Sequence, residues 1–124
     1  MKFLWIAIGG ALGSIARYLV GLWIYERMGT RFPYGTFLIN ITGCFIIGFV
    51  LTFLDARMSL SPTWRLIIPV GFVGAYTTFS TFEYETLRLA QHGQAGTALL
   101  YIASSVILGY AGVWFGQAVA RGMA

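Results

Sequence analysis

Four apolar stretches, each about as long as a membrane-spanning helix, dominate this sequence. They cover residues 3–25, 34–54, 66–89 and 95–120, and each reaches the roughly 20 residues that a helix needs to cross a bilayer. Only 10% of the residues are charged, and the mean hydropathy is +0.77. The connections are short, so residues 1–124 are predicted to form a single all-helical transmembrane domain with four spans.

The third stretch contains the sequence GFVGAYTTFSTF at residues 71–82, where glycines and hydroxyl side chains interrupt an apolar segment. Pro69 precedes the two glycines, Gly71 and Gly74. A backbone that loosens there inside a membrane must face protein, ions or water, because lipid offers no hydrogen bonds. We therefore predict that the third helix is broken in mid-membrane, at an ion or substrate site.

Polar side chains in the first two stretches are costly in hydrocarbon unless they face a partner or a water-filled path. Asn40 and Thr36 lie one turn apart and share a helix face. The amide of Asn40 either bonds two helices together or offers two N–H donors to an anion. Arg17 either extends its charge towards the nearby helix end or attracts anions to a mouth.

The third and fourth stretches carry further candidates. Phe79, Phe82 and Glu85 recur every third residue and form one stripe of a helix. The paired rings either fill a core or approach an anion with their positive edges. Nearby hydroxyl groups either cap a restarting helix or solvate a small ion; they belong to Thr77, Thr78, Ser80 and Thr81. Tyr101 and Ser105 lie one turn apart on the fourth stretch.

Several classes of function are excluded by what the sequence lacks. It has no Cys and His cluster, no phosphate-binding loop and no nucleophile paired with a base, so it is not expected to be an enzyme. The net charge of +4 is spread without a basic stripe, so no nucleic-acid partner is expected. The lone Cys44 rules out an internal disulfide. The first stretch is too long for a signal peptide and is predicted to be a retained helix.

Basic residues divide almost evenly between the two predicted membrane sides. Four lie on one side and three on the other, with Arg17 set aside: Lys2, Arg57, Arg65 and Arg121 against Arg27, Arg31 and Arg88. Because a basic excess normally orients a membrane protein, the balance reflects either chance or insertion in both directions. Four helices fill their own centre, so an oligomer is expected. Glycines four residues apart allow close helix contact, as at residues 9 and 13 and at residues 112 and 116.

Three motifs together resemble those of the Fluc (CrcB) family of fluoride channels. They are GGxxGxxxRY at residues 9–18, GTxxxNxxG at residues 35–43 and GxxGxxTTFSTFxxE at residues 71–85. Their order and spacing and the four-span length match over essentially the whole chain. Three residues depart from the family pattern: Ala75 replaces a common glycine, Glu83 a frequent serine, and Gly109 a residue that is polar in some members.

The resemblance implies an antiparallel, dual-topology homodimer in the inner or plasma membrane. Such a dimer exports toxic fluoride passively through two pores. A structural Na⁺ at the dimer centre is implied to bind the backbone carbonyls of Gly74 and Thr77. The implied fluoride path contains Asn40, Phe79, Phe82, Thr36, Tyr101, Ser105, Thr78 and Arg17.

Two other classes of protein also fit four short helices. Small multidrug exporters carry a glutamate within the first helix, where this chain has Arg17. A membrane scaffold without transport activity would explain the glycines but not the clustered amide, hydroxyl and phenylalanine residues. A fluoride path needs such donors, because the ion is strongly hydrated and must replace its lost water while remaining free to leave.

Overall fold

The chain folds into helices joined by short connections over residues 1–123, the part that the computed structural model describes. In order these are α1 (Lys2–Met28), α2 (Tyr34–Asp55), α3 (Thr63–Arg65), a π-helix (Leu66–Val73), α4 (Gly74–Tyr76), α5 (Phe79–Gln91) and α6 (Ala95–Gly122). Helices α1, α2 and α6 are each long and apolar enough to cross a membrane. The predicted all-helical, multi-pass membrane architecture is therefore confirmed.

The third apolar stretch differs in detail from the prediction. Residues 63–76 are continuously helical, Thr77 and Thr78 are extended with ψ angles of 157° and 117°, and α5 begins directly after them. Gly71 and Gly74, where the sequence predicts loosening, are both helical. Gly71 has a packing role instead, because a Cβ there would come within 2.8 Å of the Ile6 carbonyl oxygen.

The π-helix packs along α1, and two glycines of α1 make this contact possible. A Cβ at Gly9 would overlap the carbonyl oxygen of Ile67, and one at Gly13 would overlap that of Phe72. Pro69 lies within the π-helix, where its missing N–H interrupts the ordinary ladder of helical hydrogen bonds. The four-residue glycine spacing of α1 therefore marks a contact within one chain.

A second close contact joins α2 to α6. A Cβ at Gly48 would overlap the Val113 carbonyl oxygen, and one at Gly116 would overlap that of Phe45. Side chains cannot separate the two backbones at these points, so the helices touch over most of their length. The contact fixes α6 beside α2 and brings the first turns of α6 towards α5.

Connections collect at two opposite ends of the helices. One end is where α1 begins and α6 ends. There, Arg65 Nη2 pairs with Asp55 Oδ1 at 2.6 Å, and Arg57 Nη2 donates to the carbonyl of Met123 at 3.4 Å. The other end holds the α1–α2 connection and the α5–α6 connection. Loop basic residues thus fall at the two ends as the sequence predicts.

Candidate functional site

The helical stretch that ends at Tyr76 leaves its last carbonyls without helical donors. The backbone N–H and the hydroxyl of Thr77 both donate to the Val73 carbonyl, at 3.1 Å and 3.0 Å. Arg17 Nε donates to the Ala75 carbonyl at 3.0 Å. Across residues 1–123, no turn, cap or side-chain hydrogen bond ends on the carbonyl of Gly74 or Thr77. These two oxygens are therefore open to another ligand.

Asn40 of α2 holds the extended segment in place. Its Nδ2 donates to the Thr78 carbonyl at 3.0 Å, and its Oδ1 accepts from the Thr78 N–H at 2.8 Å. One side-chain amide thus pairs both backbone groups of a residue that no helix satisfies. An amide nitrogen has two hydrogens, so a second donor stays available to an anion. The two roles that the sequence leaves open for Asn40 are compatible.

The first turn of α5 is capped from the extended segment. Thr78 Oγ1 accepts from the backbone N–H of Thr81 at 3.2 Å. Thr78 is therefore the N-cap residue, which confirms the capping role predicted for the hydroxyl residues here. The Thr77 hydroxyl thus donates to the last turn of the helix that ends at Tyr76, and the Thr78 hydroxyl accepts from the first turn of α5.

Glu85 connects two of the predicted path residues. Thr36 Oγ1 donates to one carboxylate oxygen at 3.0 Å, and Tyr101 Oη donates to the other at 2.8 Å. Tyr101 is fully buried, with 0% of its surface exposed. The sequence pattern places Glu85 in the helical stripe but predicts no role for it. An acidic residue within an apolar stretch is the signal that marks it, because such a charge needs a partner or a water-filled path.

Phe79 and Phe82 are not equivalent in the structure. Phe82 is only 7% exposed and meets Tyr101 edge-on, with ring centroids 4.9 Å apart and planes inclined by 70°. Phe79 is 74% exposed and lies 5.9 Å from the Phe82 ring. The chain thus encloses one ring and presents the other on its surface.

One face of α5 gathers most of the predicted path residues. Thr78, Phe82 and Glu85 are spaced at i, i+4 and i+7 and therefore lie on the same side of the helix. We call the contact made by this face the α5 seam, and it consists of Thr78, Phe82 and Glu85 with Thr36, Asn40 and Tyr101. The Ser105 hydroxyl, one turn beyond Tyr101, is buried and has no hydrogen-bond partner within residues 1–123.

A cavity of about 770 Å³ opens beside the α5 seam, at the end that holds the α1–α2 and α5–α6 connections. Thr36, Thr78 and Glu85 of the seam line it. Arg17 also lines the cavity while its Nε holds the Ala75 carbonyl. The side chain therefore lies between the cavity and the open end of the helical stretch.

The three departures from the family pattern occupy different surroundings. Ala75 is half-buried, and its carbonyl is the one that Arg17 holds. Glu83 is exposed on α5, away from the seam residues of this chain. Gly109 is buried, and a Cβ there would lie 3.3 Å from the Sγ of Cys44. A larger side chain at Gly109 would therefore press on α2.

Comparison with known proteins agrees with the motifs. Residues 4–117 match the family described as "CrcB-like protein, Camphor Resistance (CrcB)". A protein of Acidobacterium capsulatum named "Fluoride-specific ion channel FluC" is 72% identical over 119 residues, which cover 96% of this chain and 95% of that protein. A protein of Solibacter usitatus with the same name is 51% identical over 121 residues, covering 98% and 99%. A third of that name, from Rhizobium meliloti, is 46% identical over 118 residues, covering 95% and 94%.

Proposed function

Because the chain belongs to the CrcB family, whose similar members are named fluoride-specific ion channels, we propose that it lets fluoride leave the cell passively. The family is one of ion channels and not of enzymes. The observation that carries the proposal is the α5 seam, where amide and hydroxyl donors from α2 and α6 meet one face of α5. Donors of this kind replace the water that a small anion loses on entering the membrane.

In the proposed path, the donors of the α5 seam meet the ion one after another. Asn40 keeps one amide hydrogen free, and the ring edge of Phe82 adds a weak positive contact. The hydroxyls of Thr36 and Tyr101 follow, both held on Glu85. Hydroxyl groups rotate readily, so they can turn to a passing anion and return. The buried Ser105 hydroxyl, which lacks a protein partner, supports an extension of the same path.

A structural Na⁺ fits the carbonyl oxygens of Gly74 and Thr77. Both oxygens lack a donor from residues 1–123, and Gly74 is exposed on the surface of this chain. The C-terminal end of a helix carries partial negative charge, which favours a cation there. Residues 1–123 offer no group of three or more His, Cys, Asp or Glu side chains for a metal, in keeping with a site of backbone oxygens. When bound, the cation would lower the electrostatic cost of bringing an anion to mid-membrane.

An antiparallel homodimer accounts for the face of α5 that this chain leaves uncovered. Phe79, Ser80 and Glu83 are exposed there, and a carboxylate in contact with lipid is costly. A second copy would cover these side chains and bring two extended segments together around the cation. The four-to-three division of basic residues supports insertion in both directions into the cell membrane. In that arrangement Thr77 and Thr78 lie near mid-membrane, as the break of a third spanning helix.

Fluoride efflux from proteoliposomes tests the proposed function. We expect protein-dependent efflux, read with a fluoride electrode, that needs no proton gradient and is much faster for fluoride than for chloride. Omitting Na⁺ from purification and assay should lower the activity or the dimer fraction. Folded dimers without fluoride efflux would contradict the proposal, and proton-coupled export of organic cations would favour a multidrug exporter.

Labelling of loop cysteines tests the dual topology. With Cys44 replaced by serine, single cysteines at Gly29 and Ser59 should each react from both sides of the membrane across a population of cells. Two lysines added to one loop should shift the labelling towards one side, because basic residues favour the cytoplasm. Labelling of each site from one side only would contradict insertion in both directions.

A further inference from the structure

The cavity beside the α5 seam is larger than fluoride conduction needs. Its volume of about 770 Å³ lies within the range of small-molecule sites, roughly 300–1,000 Å³. A fluoride ion is close in size to a water molecule, which takes up about 30 Å³ in the liquid. The cavity therefore has room for a much larger anion at the entrance to the proposed path.

The cavity carries an excess of positive charge. Three arginines line it, Arg17, Arg31 and Arg88, together with one acidic residue, Glu85. The one ion pair within residues 1–123 lies at the opposite end of the molecule, so none of the three guanidinium groups is paired with a carboxylate. Both oxygens of Glu85 are already engaged by hydroxyl groups. Three positive charges thus face one negative charge.

Arg31 and Arg88 approach the cavity from two different elements. Arg31 lies in the α1–α2 connection and Arg88 in the last turn of α5, and both are exposed. Next to Arg88, the Nδ1 of His92 lies 2.7 Å from the Arg88 carbonyl, which ties this connection to the end of α5. Each guanidinium group offers a planar set of N–H donors that matches phosphate oxygens in pairs. Two such groups around one opening suit a tetrahedral oxyanion.

We propose that this cavity binds a phosphate-class dianion through Arg31 and Arg88, and that the bound dianion slows fluoride entry. A doubly charged oxyanion gains more from several positive groups than a monovalent ion does. Fluoride also gives up its water reluctantly, so it competes weakly for an open, hydrated site. The slowing of fluoride rests on the proposed function, whereas binding of the dianion does not. The same chemistry is offered by free phosphate and by the phosphate monoester headgroup of phosphatidic acid.

The flux experiment compares phosphate with chloride at equal ionic strength on both sides of the vesicle. In phosphatidylcholine vesicles, about 10 mM phosphate should slow fluoride efflux several-fold if its dissociation constant is about 1 mM. If the lipid headgroup is the natural source, vesicles that contain phosphatidic acid, whose phosphate monoester can carry two negative charges, should show slow efflux without added phosphate. Equal efflux in phosphate, in chloride and in both lipids would overturn the proposal.

Charge-removing variants tie the effect to the cavity. In the double variant Arg31→Gln with Arg88→Gln, the rate of efflux in chloride divided by the rate in phosphate should be close to one. The same holds for the rate in uncharged vesicles divided by the rate in vesicles with the anionic lipid. Arg57→Gln removes a charge at the opposite end and should keep the parent ratio. Using a ratio cancels any change in basal conduction. An unchanged ratio in the double variant would overturn the assignment to Arg31 and Arg88.

Calorimetry separates this inference from the proposed function. Purified parent protein in an uncharged detergent should take up phosphate with saturable heat, and the double variant should lose it while Arg57→Gln retains it. If the parent conducts no fluoride yet binds phosphate in this way, the proposed function fails and the binding site stands. If it conducts fluoride but neither binds phosphate nor responds to anionic lipid, the inference alone fails.

Discussion

The two halves of α2 make contacts of opposite kinds. In the C-terminal half, Gly48 lets α6 approach so closely that a Cβ would overlap the Val113 carbonyl oxygen. In the N-terminal half, Thr36 and Asn40 reach α5 through hydrogen bonds of 2.8 to 3.0 Å. Lipid tails are as apolar as the aliphatic side chains of a spanning helix, so helices gain little by hiding such side chains from lipid, and packing and hydrogen bonds must hold both contacts together.

The difference shows where this fold can accommodate an ion. The glycine contact depends on small size and brings the backbones of the two helices directly together. The α5 seam depends on donors and acceptors, which hold a backbone that no helix satisfies. A permeating anion needs donors, so the proposed fluoride path runs along the N-terminal half of α2, where side chains make the hydrogen bonds that the helix does not.

The largest expected effect comes from adding one methyl group to the glycine contact. Gly116→Ala places a Cβ against the Phe45 carbonyl oxygen and within 2.8 Å of the Phe49 nitrogen, atoms that cannot rotate away. We expect a loss of about 3 kcal/mol or more, seen as little or no monodisperse protein on size exclusion. Gly96→Ala is the matched control, because it lies on the same helix with no atom within 4 Å of the added Cβ. Similar yields and melting temperatures for the two variants would show that the contact is not close.

A change at Asn40 tests the polar half of α2. Asn40→Asp keeps an acceptor for the Thr78 N–H but loses the donor to the Thr78 carbonyl and the free donor assigned to fluoride. We expect efflux per folded dimer to fall to the level of empty vesicles, with a loss of about 1–3 kcal/mol in stability. Thr42→Val is the control, because it also removes a side-chain hydrogen bond between α2 and the third apolar stretch, that to the Tyr76 hydroxyl, but lies outside the seam. Normal efflux from folded Asn40→Asp dimers would remove Asn40 from the path.

The sequence predicts what local patterns determine, and this covers most of the fold. Apolar length predicts the three long helices, because a spanning helix satisfies its own backbone. The run of hydroxyl residues before α5 indicates a helix cap, and the structure shows that Thr78 supplies it. The motifs also contain the residues that meet at the α5 seam except Tyr101, although they do not show which of these residues pair with each other.

Long-range contacts decide what the sequence could not predict. The partner of Thr36 lies 49 residues away and that of Tyr101 lies 16 residues away, so the role of Glu85 appears only when α5 packs. A glycine in a sequence can likewise indicate either a flexible backbone or a place where another backbone approaches closely. At Gly71 the neighbouring α1 backbone decides in favour of close approach, and the bend occurs at Thr77 and Thr78 instead.

The two phenylalanines separate ring-edge chemistry from packing. Phe82→Ile removes the edge-on contact with Tyr101 and should lower stability by about 1–2 kcal/mol, whereas Phe79→Ile, at an exposed position, should lower it by much less in the isolated chain. If ring edges solvate fluoride, efflux per folded dimer should collapse in at least one variant, beyond what its melting temperature explains. Near-native efflux from both variants would leave the amide and hydroxyl groups as the path.

The smallest effect is expected from Tyr101→Phe, which tests whether fluoride efflux requires both of the hydroxyl groups that donate to Glu85. Tyr101→Phe keeps the buried ring against Phe82 and removes only the hydroxyl that donates to Glu85 at 2.8 Å. Side-chain hydrogen bonds within membranes contribute about 0.6 kcal/mol on average, so the melting temperature should fall only slightly. Efflux should fall in part, because Thr36 still donates to the other carboxylate oxygen.

Tyr110→Phe is the matched control for this change, since it lies on the same helix, is 77% exposed and has no side-chain hydrogen bond within residues 1–123. Combining Tyr101→Phe with Thr36→Val should reduce efflux by more than the product of the two single effects, because the carboxylate then loses both donors at once. If instead the double variant reduces efflux by the product of the two single effects, the two hydroxyls act on fluoride separately. In that case Glu85 would hold the hydroxyls in place without coupling them, and the polar half of α2 would work as a set of separate donors.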